Sequence, residues 1–306
     1  MDYLHDLSTK LADGLASLPE ELRARHAAYL EAAQNGDGGF SGREGGSDLY
    51  YTGFGLRGLA VLRALTPDVC KRAAGFLRHS LVQQASVVDF FSLLYSCLLV
   101  ELAGIEVLGG ALADWPERVV ATLETFRTAD GGYARTAGSS SGSTYHTFLV
   151  GLCQQLLGKE LPRPPELVHF IQARRRDDGG FVEIAPMRRS GTNPTAGAVG
   201  ALQLVGDGLT DDIRAGVVEF LAQMPGMEGG LRANDRAPLS DMLSTFTGSW
   251  TLAQLGALDR LDVDAVREFA KSQEQPAGGF RGGLWDDRAD VEYTFYGLGV
   301  LALLGP

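Results

Sequence analysis

Two kinds of helical pattern alternate along the chain. One kind is amphipathic with a charged face and covers residues 19–34, 115–127, 211–224 and 263–273. The other kind is apolar on nearly every side and covers residues 49–65, 90–103, 144–157 and 291–304. A helix that is apolar all round is a buried helix. The pattern therefore predicts charged outer helices that alternate with buried inner helices.

A Gly-Gly pair followed by a bulky apolar residue separates the two kinds of helix. The pairs begin at residues 38, 131, 179, 229 and 278, so the last four are 48, 50 and 49 residues apart. The first gap, of 93 residues, is about two periods, and a degenerate repeat without glycines is expected at residues 83–86. A fixed period of this length is typical of repeat architectures.

Six helical pairs of about 47 residues account for most of the 306 residues. This predicts an all-α fold, an (α/α)6 toroid of six helical-pair repeats, in which closure leaves no uncapped end. We expect a single domain over residues 1–306, with residues 1–18 as an N-terminal helical extension. An open superhelix of the TPR or HEAT type is the alternative, but its usual periods of roughly 34 and 40–47 residues fit less well.

Composition narrows the classes of function. Hydrophobic residues make up 45% of the chain, which is enough for a large core, and the net charge of −11 disfavours nucleic-acid partners. No apolar stretch reaches the roughly 18 residues that a membrane span needs. The first residues lack a signal-peptide pattern, and the three cysteines form no C-x-x-C pair. We expect a cytoplasmic protein.

The residues that precede the inner helices are favoured N-cap types. They are Asp48, Asp89, Ser143, Gly191, Asp241 and Asp290. Because inner helices of a toroid run parallel, their partially positive N-termini gather at one end, where an anion such as diphosphate would bind. Arginines on the preceding loops, including Arg188, Arg189 and Arg236, suit phosphate oxygens. Solvated surface arginines are the alternative, since the chain contains 23 Arg and 4 Lys.

Aromatic residues recur near the starts of the inner helices. Tyr51, Phe246, Trp250 and Tyr296 are candidates to line the interior around a long apolar ligand, although core packing also explains such residues. His146 occupies the same region and is a candidate catalytic base, with a buried structural histidine as the alternative.

These repeats resemble the β-subunit of protein prenyltransferases, above all the Rab geranylgeranyltransferase type. The resemblance rests on the Gly-Gly-Phe segments before apolar helices and on the closing segment 290–305, and it extends from about Pro19 to the end. The same superfamily contains squalene and hopene cyclases. The resemblance implies a toroid that binds an isoprenoid diphosphate, or another long apolar ligand, and that pairs with a helical α-subunit-like partner.

The zinc ligands that the resemblance implies are largely replaced. Asp241 matches the family's aspartate, but Leu243 stands at the cysteine position and Tyr293 at the histidine position. A single carboxylate does not hold catalytic zinc. Asp241 and Tyr293 stay candidate catalytic residues, and zinc-dependent prenylation is not expected.

The diphosphate pocket also departs from the family pattern. Arg236 is a plausible counterpart of the family's arginine, and Arg188 with Arg189 lie where a histidine is expected. The run Asp286-Asp287-Arg288-Ala289-Asp290 spells a D-D-x-x-D motif, so Mg²⁺ at Asp290 is a candidate, although chance explains the motif better.

Several classes of function stay open. The first is a prenyltransferase-like enzyme that binds an isoprenoid diphosphate and works without zinc. The second is a non-catalytic toroid that binds lipid or serves as a scaffold. A terpene cyclase lacks its Asp-x-Asp-Asp proton donor here. A glycan-active (α/α)6 enzyme would need two carboxylates about 5–10 Å apart.

Overall fold

The computed structural model describes residues 3–81, 86–108, 114–206 and 208–305, and the regular structure in these segments is helical. They contain thirteen α-helices, one short 3-10 helix (Leu258–Arg260) and only isolated β-bridges. The all-α prediction is confirmed. Of the degenerate repeat predicted at residues 83–86, only Ser86 lies within the described residues. The helices are α1 (Tyr3–Ala16), α2 (Glu20–Ala32), α3 (Leu49–Val61), α4 (Pro67–Ser80), α5 (Val87–Leu102), α6 (Trp115–Glu124), α7 (Thr144–Leu156), α8 (Pro164–Gln172), α9 (Thr192–Val205), α10 (Asp211–Ala222), α11 (Met242–Gln254), α12 (Val263–Ser272) and α13 (Val291–Leu304).

The chain divides into two compact units. The first unit contains Tyr3 and residues Glu117–Phe269, and its inner helices α7, α9 and α11 pack side by side. The second unit contains Leu4–Pro116 and the segment from Ala270 onward, and there α13, α3 and α5 pack in the same way. The single domain and the closure of six pairs stay predictions.

Within each unit the inner helices run parallel. In the first unit the start of α9 contacts the start of α11 through Asn193 and Ser244, and their ends meet through Gln203 and Gln254. In the second unit Tyr50 at the start of α3 hydrogen-bonds Glu292 at the start of α13. The N-termini of neighbouring inner helices therefore lie at the same end of each unit.

The Gly-Gly segments join each outer helix to the inner helix that follows. The bulky residue after each glycine pair is fully buried, and its backbone N–H donates to a buried threonine hydroxyl one turn inside the inner helix at 2.9–3.1 Å. The pairs are Phe40 with Thr52, Tyr133 with Thr147, Phe181 with Thr195, Leu231 with Thr245 and Phe280 with Thr294. The sequence analysis did not predict this bond, although the threonine four residues after each of these N-cap positions was an available signal.

Glycine is required at the first position of each pair for two reasons. Its φ lies between 85° and 96°, a region that residues with a side chain rarely adopt. In addition, a Cβ at Gly38 would lie 2.0 Å from the carbonyl oxygen of Arg72, and a Cβ at Gly229 would lie 2.5 Å from that of Ala265. The glycines thus let the loop approach the backbone of the next outer helix.

The predicted N-caps are observed, with one correction. The side chains of Asp48, Ser143, Asp241 and Asp290 each accept the N–H of the third residue after them, and Gly191 caps α9 without a side chain. The prediction was wrong for Asp89. Helix α5 begins earlier, at Val87, because the Ser86 hydroxyl accepts the Asp89 N–H.

The ends of the inner helices show one exception to a glycine rule. Five of them end at a glycine with positive φ, whereas α3 is followed by Arg63 with φ 57°. A side chain in this region costs on the order of 1 kcal/mol. The glycines are Gly104, Gly158, Gly206, Gly256 and Gly305.

No helix among the described residues is long and apolar enough to cross a bilayer.

We expect Thr245→Val to lower the free energy of unfolding by about 1–3 kcal/mol, because the buried N–H of Leu231 loses its acceptor. The control is Thr251→Val in the same helix. The Thr251 hydroxyl only donates to the Thr247 carbonyl, so its loss leaves no buried N–H unpaired and should cost less than about 1 kcal/mol. Urea unfolding measures both variants. Equal losses would contradict the role given to the threonine hydroxyl.

Candidate functional site

In the first unit the loops that lead into α9 and α11 lie side by side. The backbone N–H of Thr192 donates to the Ala233 carbonyl at 2.9 Å, and the Thr192 hydroxyl donates to the Arg232 carbonyl at 2.6 Å. These contacts place the predicted arginines Arg188, Arg189 and Arg236 on two adjacent loops.

The three arginines differ in their partners. Arg189 forms an ion pair with Asp235, which joins the two loops and uses its charge. Arg188 and Arg236 are exposed, and within the described residues neither side chain forms an ion pair or hydrogen bond. Two guanidinium groups on the loops that lead into α9 and α11 therefore have N–H groups available for an anion.

A series of hydrogen bonds, the hydrogen-bonded chain, links Glu183, Ser143 and His146 at the start of α7. The Ser143 hydroxyl bonds the carboxylate of Glu183, and its oxygen lies 2.8 Å from Nδ1 of His146. Burial raises the pKa of Glu183. Burial, together with the charge of Arg135, lowers the pKa of His146 to about 4, so the imidazole is neutral at physiological pH.

This chain defines the tautomer of His146. Ser143 has one hydroxyl proton, which it donates to the carboxylate of Glu183, so its oxygen can only accept from the imidazole. Nδ1 therefore carries the proton, and Nε2 carries the lone pair. Nε2 is thus the atom at which this imidazole can accept a proton, and the role of His146 as a base stays a prediction. Glu183 was not singled out from the sequence, because Ser143 and Glu183 are 40 residues apart and meet only in the fold.

The aromatic residues predicted in this unit are buried. Phe246 and Trp250 have exposed fractions of 5% and 8%. The indole N–H of Trp250 donates to the hydroxyl of Tyr3 at 2.9 Å, and the Tyr3 ring packs edge-on against Phe148 with 5.1 Å between ring centroids. Burial raises the pKa of Tyr3 to about 12. Tyr3, which sequence reasoning assigned only to an N-terminal extension, thus covers one side of Trp250.

Asp241 serves as the N-cap of α11 with both oxygens. Oδ1 accepts the Ser244 N–H at 2.7 Å, and Oδ2 accepts the Ser244 hydroxyl at 2.8 Å. Burial raises the pKa of Asp241. The neighbouring Leu243 has no ligating atom. The residues present do not fit zinc here, and among the described residues no three His, Cys, Asp or Glu side chains form a group that could hold a metal ion.

In the second unit Asp286 and Asp290 are held by Arg43. Its two terminal nitrogens bond the carboxylate of Asp286, and its Nε lies 3.1 Å from Asp290, which also caps α13. Asp287 is exposed and does not join them. Because the guanidinium already compensates both buried carboxylates, the D-D-x-x-D segment does not fit Mg²⁺, and the Mg²⁺ candidate at Asp290 is not supported.

The other predicted residues of this unit lie around Glu292. Its Oε1 accepts from the hydroxyls of Tyr50 and Tyr296 at 2.6 and 3.3 Å, and burial raises the pKa of this carboxyl. Tyr51 and Tyr293 line a cavity of about 440 Å³ that also exposes Glu292 and Asp290. The guanidinium carbon of Arg43 lies 5.6 Å from the ring centroid of Tyr293, so the face of this ring contacts the arginine.

Sequence reasoning missed Arg57, the one charged residue of α3. Its guanidinium carbon lies 4.1 Å from the ring centroid of Phe54 and 5.0 Å from that of Phe295. A single arginine within an otherwise uncharged inner helix was the available signal, and its aromatic neighbours come from three helices.

The chain belongs to the prenyltransferase alpha-alpha toroid domain family, whose model matches residues 19–78 and 71–306. The toroid class predicted from the repeats is thereby supported by an independent comparison. The resemblance to the Rab geranylgeranyltransferase type in particular stays a prediction. No match was found among curated proteins.

Solved structures of several activities share this fold. Protein geranylgeranyltransferase-I of Candida albicans, solved in complex with GGPP, has a TM-score of 0.70 at 16% identity over 92% of this chain and 91% of that one. A variant of the type II terpene cyclase MstE from Scytonema, bound to geranylgeranyl dihydroxybenzoate, has a TM-score of 0.66 at 13% identity over 98% and 99%. The α-1,6-mannanase GH76A of Salegentibacter has a TM-score of 0.64 at 14% identity over 92% and 98%. Likeness at this identity concerns the fold.

We expect His146 to titrate with a pKa near 4 and to carry its proton on Nδ1 at neutral pH. In the unfolded chain the imidazole of His146 gains a proton near pH 6.5, whereas in the folded chain it does so only near pH 4. The contribution of His146 to stability is therefore lost as the pH falls from about 6.5 toward 4. Two-dimensional ¹H–¹⁵N NMR of the imidazole measures tautomer and pKa. The exposed His169 is the control for assignment. A proton on Nε2, or a pKa near 6.5, would contradict the hydrogen-bonded chain.

Proposed function

We propose that the protein binds an isoprenoid diphosphate in its first unit and transfers the prenyl group without zinc. The observation that carries the proposal is the neutral His146, held by Ser143 and Glu183 in the unit where Arg188 and Arg236 lie without an ion-pair partner among the described residues. Family membership and fold likeness to a geranylgeranyltransferase bound to GGPP support the same substrate class.

The arginines would bind the leaving diphosphate. The C1–O bond of the prenyl diphosphate breaks as the acceptor attacks C1, and negative charge accumulates on the diphosphate. Arg188 and Arg236, beside the positive N-termini of α9 and α11, would stabilise that charge. The prenyl chain would extend along the apolar faces of the inner helices toward Phe246 and Trp250.

The group that receives the prenyl chain must lose a proton to a base. Activation by zinc is not available from Asp241, Leu243 and Tyr293, so a protein side chain has to serve as that base. As the acceptor oxygen, nitrogen or sulfur forms its bond to C1, its proton would pass to Nε2 of His146. The charge of the imidazolium would be balanced through Ser143 by the carboxylate of Glu183. The reaction thus consumes prenyl diphosphate and acceptor and yields prenylated acceptor and diphosphate.

We expect calorimetry to detect binding of geranylgeranyl diphosphate and a loss of at least about tenfold in affinity in the double variant Arg188→Gln with Arg236→Gln, since each charge-assisted hydrogen bond contributes about 1.5–3 kcal/mol. Arg214→Gln, on the exposed face of α10, is the matched control and should bind as the wild type does. Geranylgeraniol, which lacks the anion, should not respond to the double variant. The proposal fails if the wild type does not bind or if the double variant binds equally well.

We expect His146→Gln to slow release of diphosphate from geranylgeranyl diphosphate, with water as acceptor, by about 10²–10⁴-fold while binding stays unchanged. Because the pKa of His146 is about 4, the wild-type rate should be level from pH 6 to 8 and fall toward pH 4 as the imidazole gains a proton. His169→Gln is the control. Binding without any release would instead identify the protein as the non-catalytic, lipid-binding member of the fold.

A further inference from the structure

A second cavity lies in the second unit, among α1, α3, α5 and α13. It has a volume of about 290 Å³, which is room for about ten water-sized groups. Its polar lining includes Arg57 and the hydroxyls of Ser8, Thr9 and Tyr95, and its apolar lining includes Leu99 and Phe295. None of these residues takes part in the function proposed above.

Arg57 contributes a positive charge that no carboxylate of the described residues pairs with directly. Its Nε donates to the Gly53 carbonyl at 3.0 Å, and the guanidinium forms no other hydrogen bond with the part of the chain that the structure describes. Glu292 lies near enough for electrostatic interaction, but its contacting oxygen accepts from two tyrosine hydroxyls. The terminal nitrogens of Arg57 therefore keep their N–H groups.

Aromatic rings hold the guanidinium by their faces. Besides Phe54 and Phe295, the rings of Phe91 and Tyr95 have centroids 5.7 and 5.8 Å from the guanidinium carbon. Stacking of this kind positions the planar group but leaves its N–H edges unused. The rings therefore fix the position of the Arg57 guanidinium group, and its terminal N–H groups can still donate to an acceptor.

The one acidic residue that lines the cavity, Asp13, is neutralised by an ion pair. Asp13 of α1 pairs with Arg63 at 2.9 Å, so the lining keeps one net positive charge from Arg57. Arg63 occupies the left-handed position that the other five inner helices give to glycine. Close packing of Gly14 on the Ala302 carbonyl holds α1 against α13, so the hydroxyls of α1 have a defined place. Ser8 and Tyr95 already share a hydrogen bond of 2.6 Å between their oxygens.

We propose that this cavity binds a small carboxylate with an apolar chain, anchored by Arg57. A carboxylate matches the planar edge of one guanidinium and carries the single charge that the lining balances, whereas a phosphate dianion would need further cations. Hydroxyls beside Arg57 supply additional donors, and the wall formed by Leu99 and Phe295 suits an alkyl chain. The site does not depend on prenyl transfer.

Octanoate is the probe, measured by calorimetry and by NMR chemical-shift titration of the full chain. We expect octanoate to bind the wild type, 1-octanol to bind at least tenfold more weakly, and inorganic phosphate not to bind. Arg57→Met preserves side-chain length among the rings and should weaken octanoate at least thirtyfold while leaving octanol unchanged. Arg72→Met on the exposed face of α4 should have no effect.

A second variant protects the test against a folding failure. Arg63→Gly places glycine at a backbone position that favours it, so the fold should be retained and the melting temperature should not fall. Loss of Arg63 leaves Asp13 uncompensated, and octanoate affinity should drop about three- to tenfold. Equal affinity of octanoate for the wild type and Arg57→Met, equal affinity for octanol and octanoate, or no binding of octanoate would each overturn the proposal.

Discussion

The hydrogen bond from the residue after each Gly-Gly pair to a threonine of the following inner helix is the interaction on which the described structure depends. It satisfies a buried N–H where the chain is too tightly turned to form regular structure. The preceding glycine lets the same loop touch the carbonyl of the next outer helix. Together these contacts set the place at which each inner helix starts, and so the place at which its cap and its first aromatic residues lie.

Charge compensation decides which of these helix starts stays available for chemistry. In the second unit Arg43 pairs with Asp286 and Asp290, so two of the three acids that suggested a metal motif are compensated. In the first unit Arg189 pairs with Asp235, while Arg188 and Arg236 face solvent. Asp241, which the resemblance had suggested as a zinc ligand, caps α11 through Ser244. The proposed chemistry of the first unit therefore rests on hydrogen-bonded protein groups such as His146.

Much of the architecture could be predicted because it follows from local rules. The Gly-Gly period and the apolar inner segments predicted the alternation of helices, and the N-cap types predicted where four of the capped helices begin. The predicted start of α5 was wrong because Ser86 and Asp89 are both favoured N-cap types, and in the structure it is Ser86 that caps the helix. The candidate site could be predicted less well. Residue type pointed to His146 and the loop arginines, but not to Glu183, Tyr3 or Arg57.

The sequence by itself determined the helical class and the repeat, since both follow from residue order and spacing. Tertiary structure alone decided which charges are compensated, which tautomer His146 adopts and which cation is left without a carboxylate in contact. The physical reason is that electrostatic and hydrogen-bonding states depend on distances between side chains far apart in sequence. Ser143 and Glu183 are 40 residues apart, and Arg43 and Asp290 are 247 apart.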